Sequence, residues 1–232
     1  MNDLQKKIII ALDYDSFAEA QKCVDQLEEA VIFKVGLQAF LEYGQQVIDY
    51  LQRKNKKLFL DLKFKDIPNT VHGAVKSSLR YQPDFLTIHV SGGSEMIKKA
   101  LDAAKERTDL TILGVTILTS LSNKDLEETG ISMPTEDAVL TLCDLGLKNG
   151  LKAFVCSPLE IDPIRKRFGD DVILVTPGIR PEWSVKGDQK RVFTPGMAVD
   201  AGSNYLVIGR PITQHKNPSE AFKQILQEIA RE

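Results

Sequence analysis

Cysteine is scarce in this sequence: Cys23, Cys143 and Cys156 are the three, widely spaced and in no C-x-x-C pattern. Nothing in that spacing reads as a disulfide framework or a cysteine zinc site; three buried thiols in a reduced compartment is the simplest reading. Histidine is equally thin, and His72, His89 and His215 share no H-E-x-x-H or other metal-ligand spacing. Neither G-x-G-x-x-G nor G-x-x-x-x-G-K-[ST] occurs, which removes the common dinucleotide and P-loop signatures. Ser157 has no G-x-S-x-G elbow around it, so serine hydrolysis lacks support. An excess of charge is also missing. Thirty Lys plus Arg stand against 32 Asp plus Glu, net −2, with no like-charge block, so nothing points to nucleic acid. The longest wholly apolar runs, such as Ile8-Ile9-Ile10-Ala11-Leu12, are far too short to cross a bilayer. The first residues, Met1 to Lys7, carry charges where a signal peptide needs an apolar core. The expectation is a cytoplasmic globular protein without membrane or nucleic-acid partners.

What is present is a regular alternation. The chain has 232 residues, 43% hydrophobic and 27% charged, ordinary globular proportions. Apolar, β-branched runs recur at Ile8 to Leu12, Val31 to Val35, Leu58 to Leu62, Phe85 to Val90, Thr111 to Leu118, Ala153 to Cys156, Val172 to Val175 and Tyr205 to Ile208. Such continuous runs suit strands buried on both faces of a parallel sheet. Segments of helical period lie between them, including Phe17 to Glu29, Leu37 to Arg53, Val71 to Leu79, Ser94 to Lys105 and Glu136 to Leu147. Ser16, Ser94 and Thr135 are candidate N-caps, and Gly150 sits at a C-terminal stop. Eight strands alternating with about eight helices predict an α/β fold, a (β/α)8 TIM barrel. A doubly wound open sheet competes, because alternation alone does not show closure. No linker-like stretch divides the chain, so a single domain over 1–232 is expected. The longest irregular segments, Thr119 to Pro134 and Gly178 to Pro195, follow strands, where functional loops belong.

A barrel builds its site at the C-terminal strand ends, and this sequence puts polar residues there repeatedly. Asp13, Lys34, Asp61 with Lys63, His89, Thr119-Ser120, Ser157, Arg180 and Arg210 fall at or just beyond the ends of the eight runs in order. One such residue would mean little; packing alone does not explain so many. The densest piece is Asp61-Leu62-Lys63-Phe64-Lys65-Asp66-Ile67-Pro68-Asn69-Thr70. A period-two pleat turns Asp61 and Lys63 to the same side of their strand, with Asp66 in the turn that follows. A structural ion pair would need two of the five charges Asp13, Lys34, Asp61, Lys63 and Asp66. An alternating array of all five can hold a lysine charged and deliver its proton to carbon. His89 reads instead as a hydrogen-bonded strand-end residue, and Trp183 as packing or as a residue without a role.

A second signal is phosphate. Thr176-Pro177-Gly178-Ile179-Arg180 follows the seventh run and Ile208-Gly209-Arg210-Pro211 the eighth. Barrels commonly bind phosphate with these two loops through glycine N–H groups and a helix N-terminus. Arginine adds a permanently charged, bidentate clamp. Either pairing alone is weak; both together are stronger. Between them Gly187-Asp188-Gln189-Lys190-Arg191 could close as a lid, although Lys190 and Arg191 also suit a solvated loop.

At these residues the sequence resembles the orotidine 5′-phosphate decarboxylase family over nearly the whole chain. The resemblance runs through Ala11-Leu12-Asp13, Lys34-Val35-Gly36, the specific D-L-K-F-x-D-I-P-N-T segment from Asp61, Val115 to Ser120, Thr176 to Pro181, Gly187-Asp188-Gln189 and Ile208-Gly209-Arg210. It implies a homodimeric barrel with shared active sites, a small-molecule substrate, and neither cofactor nor metal. It implies that Lys63 protonates C6 of the pyrimidine as CO₂ leaves. Asp61 would hold Lys63 and crowd the substrate carboxylate, and Asp66 would reach in from the partner subunit beside Ile67 and Thr70. Asp13 and Lys34 would bind the ribose hydroxyls, with Lys34 also in the catalytic array, and Thr119 and Ser120 would face the base. Arg180, Gly209 and Arg210 would take the phosphate, with Gln189 bridging phosphate and base. Two rivals stand beside this reading: a related Mg²⁺-dependent sugar-phosphate lyase barrel, and a silent barrel that binds a nucleotide without turning it over.

Overall fold

The computed structural model describes residues 3–184 and 193–230. Its strands are β1 (Ile8–Ala11), β2 (Ile32–Gly36), β3 (Lys57–Phe64), β4 (Phe85–His89), β5 (Thr111–Val115), β6 (Ala153–Val155), β7 (Ile173–Pro177) and β8 (Tyr205–Ile208). They follow one another in chain order around a closed parallel barrel. The open-sheet alternative is thereby excluded. Every residue of β1 and of β2 is buried, the two-sided burial that continuous apolar runs require.

The helices are α1 (Phe17–Gln26), α2 (Leu37–Arg53), α3 (Pro68–Ser78), α4 (Ser94–Ala104), α5 (Asn123–Glu128), α6 (Thr135–Lys148), α7 (Ile161–Phe168), α8 (Pro195–Asp200), α9 (Arg210–Thr213) and α10 (Pro218–Ile229). By their contacts the residues fall into two compact units, Met1–Leu62 with Gly178–Glu232, and Lys63–Pro177. No helix among the described residues is long and apolar enough to cross a membrane.

In the first unit β1 pairs with β2 and β8, and β2 pairs with β3, so that Lys34 lies beside Ala11 and Phe59 and Gly36 beside Asp61. Phe33, Phe59, Ile8, Ile9 and Ile10 are among its fully buried side chains, each contributing about 1.5–3 kcal/mol over exposure. Ser16 caps α1 as its residue type suggests, its hydroxyl accepting from the Glu19 N–H. α2 has the predicted bounds and buries Ala39, Tyr43, Val47, Ile48 and Leu51 on one stripe.

In the second unit β4, β5, β6 and β7 pair in succession. Two caps differ from expectation. Gly93, at φ +88, takes the cap position before α4, and Ser94 becomes its first residue; the Ser94 hydroxyl instead accepts from Asn149 Nδ2 at 3.1 Å. Pro134 precedes α6, and the backbone N–H and hydroxyl of Thr135 both donate to Asn123 Oδ1, at 2.9 and 2.7 Å. In both places a side chain distant in sequence replaced the local capping bond. The expected irregular stretch from Thr119 to Pro134 holds α5, whose N-terminus is capped by a reciprocal Ser122–Asp125 capping box. Gly150 ends α6 as expected. At φ +95 it lets its N–H reach the Leu147 carbonyl and that of Leu151 the Gly146 carbonyl, a Schellman pair. Cys23, Cys143 and Cys156 are free and buried, and burial pushes the Cys143 thiol up to about 12.

Candidate active site at the strand ends

Lys34 sits in the middle of an all-buried strand, where a bare ammonium costs several kcal/mol. Its Nζ lies 3.1 Å from Asp13 Oδ1 and 3.6 Å from Asp61 Oδ2. The Lys34 and Asp61 side chains are each only 11% exposed, whereas that of Asp13 is 59% exposed. The buried pair therefore carries the electrostatic weight, and Asp13 presents a carboxylate to whatever occupies the mouth. Gly36 makes room for this group: a Cβ there would lie 3.0 Å from Lys34 Nζ and 3.4 Å from Asp13 Oδ1. Three of the sequence-predicted residues are thus one charged cluster.

Lys63 departs from the pleat. Its φ is +51, the left-handed region that a long side chain enters at a cost of about 1–2 kcal/mol. Regular alternation therefore cannot set the direction of its side chain relative to Asp61, and the period-two argument fails at that residue. Its backbone N–H donates to the hydroxyl of fully buried Thr87 on β4 at 2.8 Å, one bond that holds the unusual conformation. Asp66 follows in the turn before α3, where its Oδ1 accepts from the Ile67 N–H at 2.6 Å. That bond orders the turn, and Asp66 is exposed there. Ile67 is 68% exposed beside it, and Thr70 is exposed in the first turn of α3.

Arg180 and Arg210 come together as expected. They line a cavity of about 440 Å³ with Trp183, Ser184, His215 and Lys216, a size that suits a small ligand. Three cationic side chains there favour an anion. The helical contribution is smaller than anticipated, since α9 is a single turn beginning at Arg210 and Gly209 merely precedes it. One turn has little macrodipole, so the attraction comes from side chains. The Trp183 ring meets His215 edge-on at 5.4 Å, so Trp183 is part of a polar cavity wall. Neither residue was legible as such in sequence, because only the chain's return after α9 places His215 opposite Trp183.

Thr119 and Ser120 are exposed after β5; Thr119, but not Ser120, lines a second cavity of about 420 Å³ with Ser157 and Glu160. Gln189 and its neighbours Gly187, Asp188, Lys190 and Arg191 lie outside the described residues. Among the described residues no group of three or more His, Cys, Asp or Glu could hold a metal ion.

A closed parallel barrel with charged residues at its strand ends and an arginine-lined cavity after its last strands has the architecture of a (β/α)8 enzyme. The model of the orotidine 5′-phosphate decarboxylase / HUMPS family matches residues 6–225. Orotidine 5′-phosphate decarboxylase from Nostoc sp. is 41% identical over 96% of this chain and 97% of its own length. The protein of the same name from Haemophilus influenzae (strain PittEE) is 44% identical, covering 96% and 98%. The crystal structure of orotidine 5′-phosphate decarboxylase from Lactobacillus acidophilus superposes with a TM-score of 0.85 at 37% identity, over 96% of this chain and 98% of that one. The chain belongs to the orotidine 5′-phosphate decarboxylase / HUMPS family and is an enzyme of the carboxy-lyase class.

Proposed function

We propose that the chain, acting as one domain over 1–232, converts orotidine 5′-monophosphate to UMP and CO₂ in pyrimidine nucleotide synthesis, in the cytoplasm and without a cofactor. The observation that carries the reading is the family match over residues 6–225 of a chain that keeps Asp61, Lys63 and Asp66 in the family's segment. The C6–carboxylate bond breaks and its electron pair stays on C6, in an orbital the ring does not delocalise. Lys63 gives its ammonium proton to C6 and is recharged from solvent. The barrier then falls chiefly by electrostatics, a fixed cation beside developing negative charge. Asp61 holds Lys63 and crowds the departing carboxylate.

Asp13 and Lys34 take the ribose hydroxyls, which agrees with one exposed carboxylate beside a buried ammonium. Thr119 and Ser120 face the base. Arg180, Gly209 and Arg210 take the phosphate, with Gln189 bridging phosphate and base; the phosphate's binding energy, remote from C6, offsets the cost of holding the carboxylate near Asp61. The active form is a homodimer in which Asp66, Ile67 and Thr70 serve the partner's site. Asp66, Ile67 and Thr70 are all exposed, which leaves them accessible to a partner subunit. The test is loss of orotidine 5′-monophosphate absorbance with and without EDTA. Turnover that persists in EDTA is expected. Its absence under both conditions overturns the reading, and loss in EDTA alone favours the Mg²⁺-dependent lyase.

A further inference from the structure

Asp13 stands just beyond β1, in a stretch without regular secondary structure between β1 and α1. Two long-range bonds converge on the next residue. The Tyr14 hydroxyl donates to the Thr213 carbonyl at 2.9 Å, a link across 199 positions of sequence. The Tyr43 hydroxyl donates to the Tyr14 carbonyl at 2.9 Å. Thr213 is the last residue of α9, and Arg210 is its first.

α9 needs such a tether. A single turn has few bonds of its own: the Ile212 and Thr213 N–H groups donate to the Gly209 carbonyl, that of Gln214 to the Arg210 carbonyl and that of His215 to the Ile212 carbonyl. The carbonyl of its last residue, Thr213, accepts from the Tyr14 hydroxyl in place of a further helical turn. Tyr43 is suited to the other end: it is buried, and it sits where α2 leaves helical geometry, at φ −147 and ψ 26. Its ring also packs on Phe17 with centroids 6.4 Å apart. Burial pushes both phenols up, that of Tyr43 to about 12, so both stay protonated donors.

We propose that Tyr14 is a positioning residue that fixes the Arg210 end of the site at a set distance from the Asp13–Lys34 end, so that a ligand carrying a phosphate and a ribose is gripped at both. This rests on the proposed roles of Asp13 at the ribose and Arg210 at the phosphate. The bond lengths the ligand spans are fixed by chemistry, so a loose α9 would weaken binding only when both ends are occupied.

The experiment measures UMP and uridine affinity of wild type, Tyr14→Phe, Arg210→Ala and the double variant, with KM and kcat for orotidine 5′-monophosphate alongside. Tyr14→Phe keeps the ring and removes the bond to the Thr213 carbonyl, along with a weaker contact to the Cys23 thiol, so UMP affinity should fall about fivefold while uridine affinity stays unchanged. KM should rise by a similar factor with kcat within about twofold. In the Arg210→Ala background the same change should have no further effect on UMP, because the residue acts through Arg210. Should Tyr14→Phe fold poorly, Tyr43→Phe removes the other bond and should show the same UMP-selective loss. An equal loss for UMP and uridine, no loss for UMP, or a loss that survives in the Arg210→Ala background would overturn the proposal while leaving the decarboxylase reading intact. A wild type that neither binds UMP nor turns over substrate would overturn both.

Discussion

Glu160 is a carboxyl group placed where ionisation is costly. It follows β6 in the turn before α7, only 8% exposed, and its Oε2 accepts from the Ser157 N–H at 2.7 Å. Burial pushes it up from 4.5 to about 7, against the opposing pull of that N–H. The folded protein therefore keeps a proton on Glu160 through a range in which the unfolded chain has lost it. This contribution to stability is full below pH 4.5 and is lost as pH rises to about 7. A displacement of that size corresponds to about 3 kcal/mol. Glu160→Gln keeps an oxygen for the Ser157 N–H and cannot ionise. At pH 8 the variant should be more stable than wild type by about that amount, or about 6–12 °C in Tm for a domain of this length. At pH 4.5 the two should melt together. Thermal unfolding followed by far-UV circular dichroism at both pH values, in low salt, provides the measurement. A variant that melts at or below wild type at pH 8, or a difference that is the same at both pH values, would refute the argument that buried charge at this site costs stability.

Three further outcomes are expected. Lys63→Ala should abolish decarboxylation while UMP still binds, and refolding it together with Asp66→Asn should restore about a quarter of wild-type turnover, because half the dimers are mixed and each of these carries one intact site; no recovery despite demonstrated mixed dimers would put Asp66 in its own subunit's site. Arg210→Ala should raise KM for orotidine 5′-monophosphate at least tenfold with little change in Tm, and should leave the phosphate-free nucleoside nearly indifferent; equal sensitivity of both substrates would remove Arg210 from the phosphate. Gly36→Ala, at an ordinary φ of −89, should push the Lys34 ammonium a few tenths of an ångström from Asp13 and lower turnover efficiency severalfold; full activity would mean that the tight space around that ammonium is without consequence.

The sequence alone determined the elements whose signal is local. A strand buried on both faces must be apolar throughout, so β1 and β2 showed themselves by run length, and α2 by the period of its buried stripe. Gly150 marked the end of α6 because a left-handed stop strongly favours a residue without a side chain. Charged residues stood out near the strand ends because an acid or a lysine interrupts an apolar run, although the structure keeps Lys34 and Asp61 buried. The tertiary structure decided what depends on partners far away in the chain. Ser94 and Thr135 carry good capping side chains, yet Asn149 and Asn123 engage them otherwise. Lys63 lies in strand sequence, yet takes a left-handed φ held by a bond to Thr87. Lys34 could have paired with either carboxylate; the strand register sets it between Asp13 and Asp61. Tyr14 reaches Thr213 only because β1 and β8 pair and bring the two ends of the chain together, and Trp183 meets His215 only through the chain's return after α9. Periodicity records which side of a residue is buried; the partner of a polar group is fixed by chain closure, and residues 199 apart share no local pattern that could announce it.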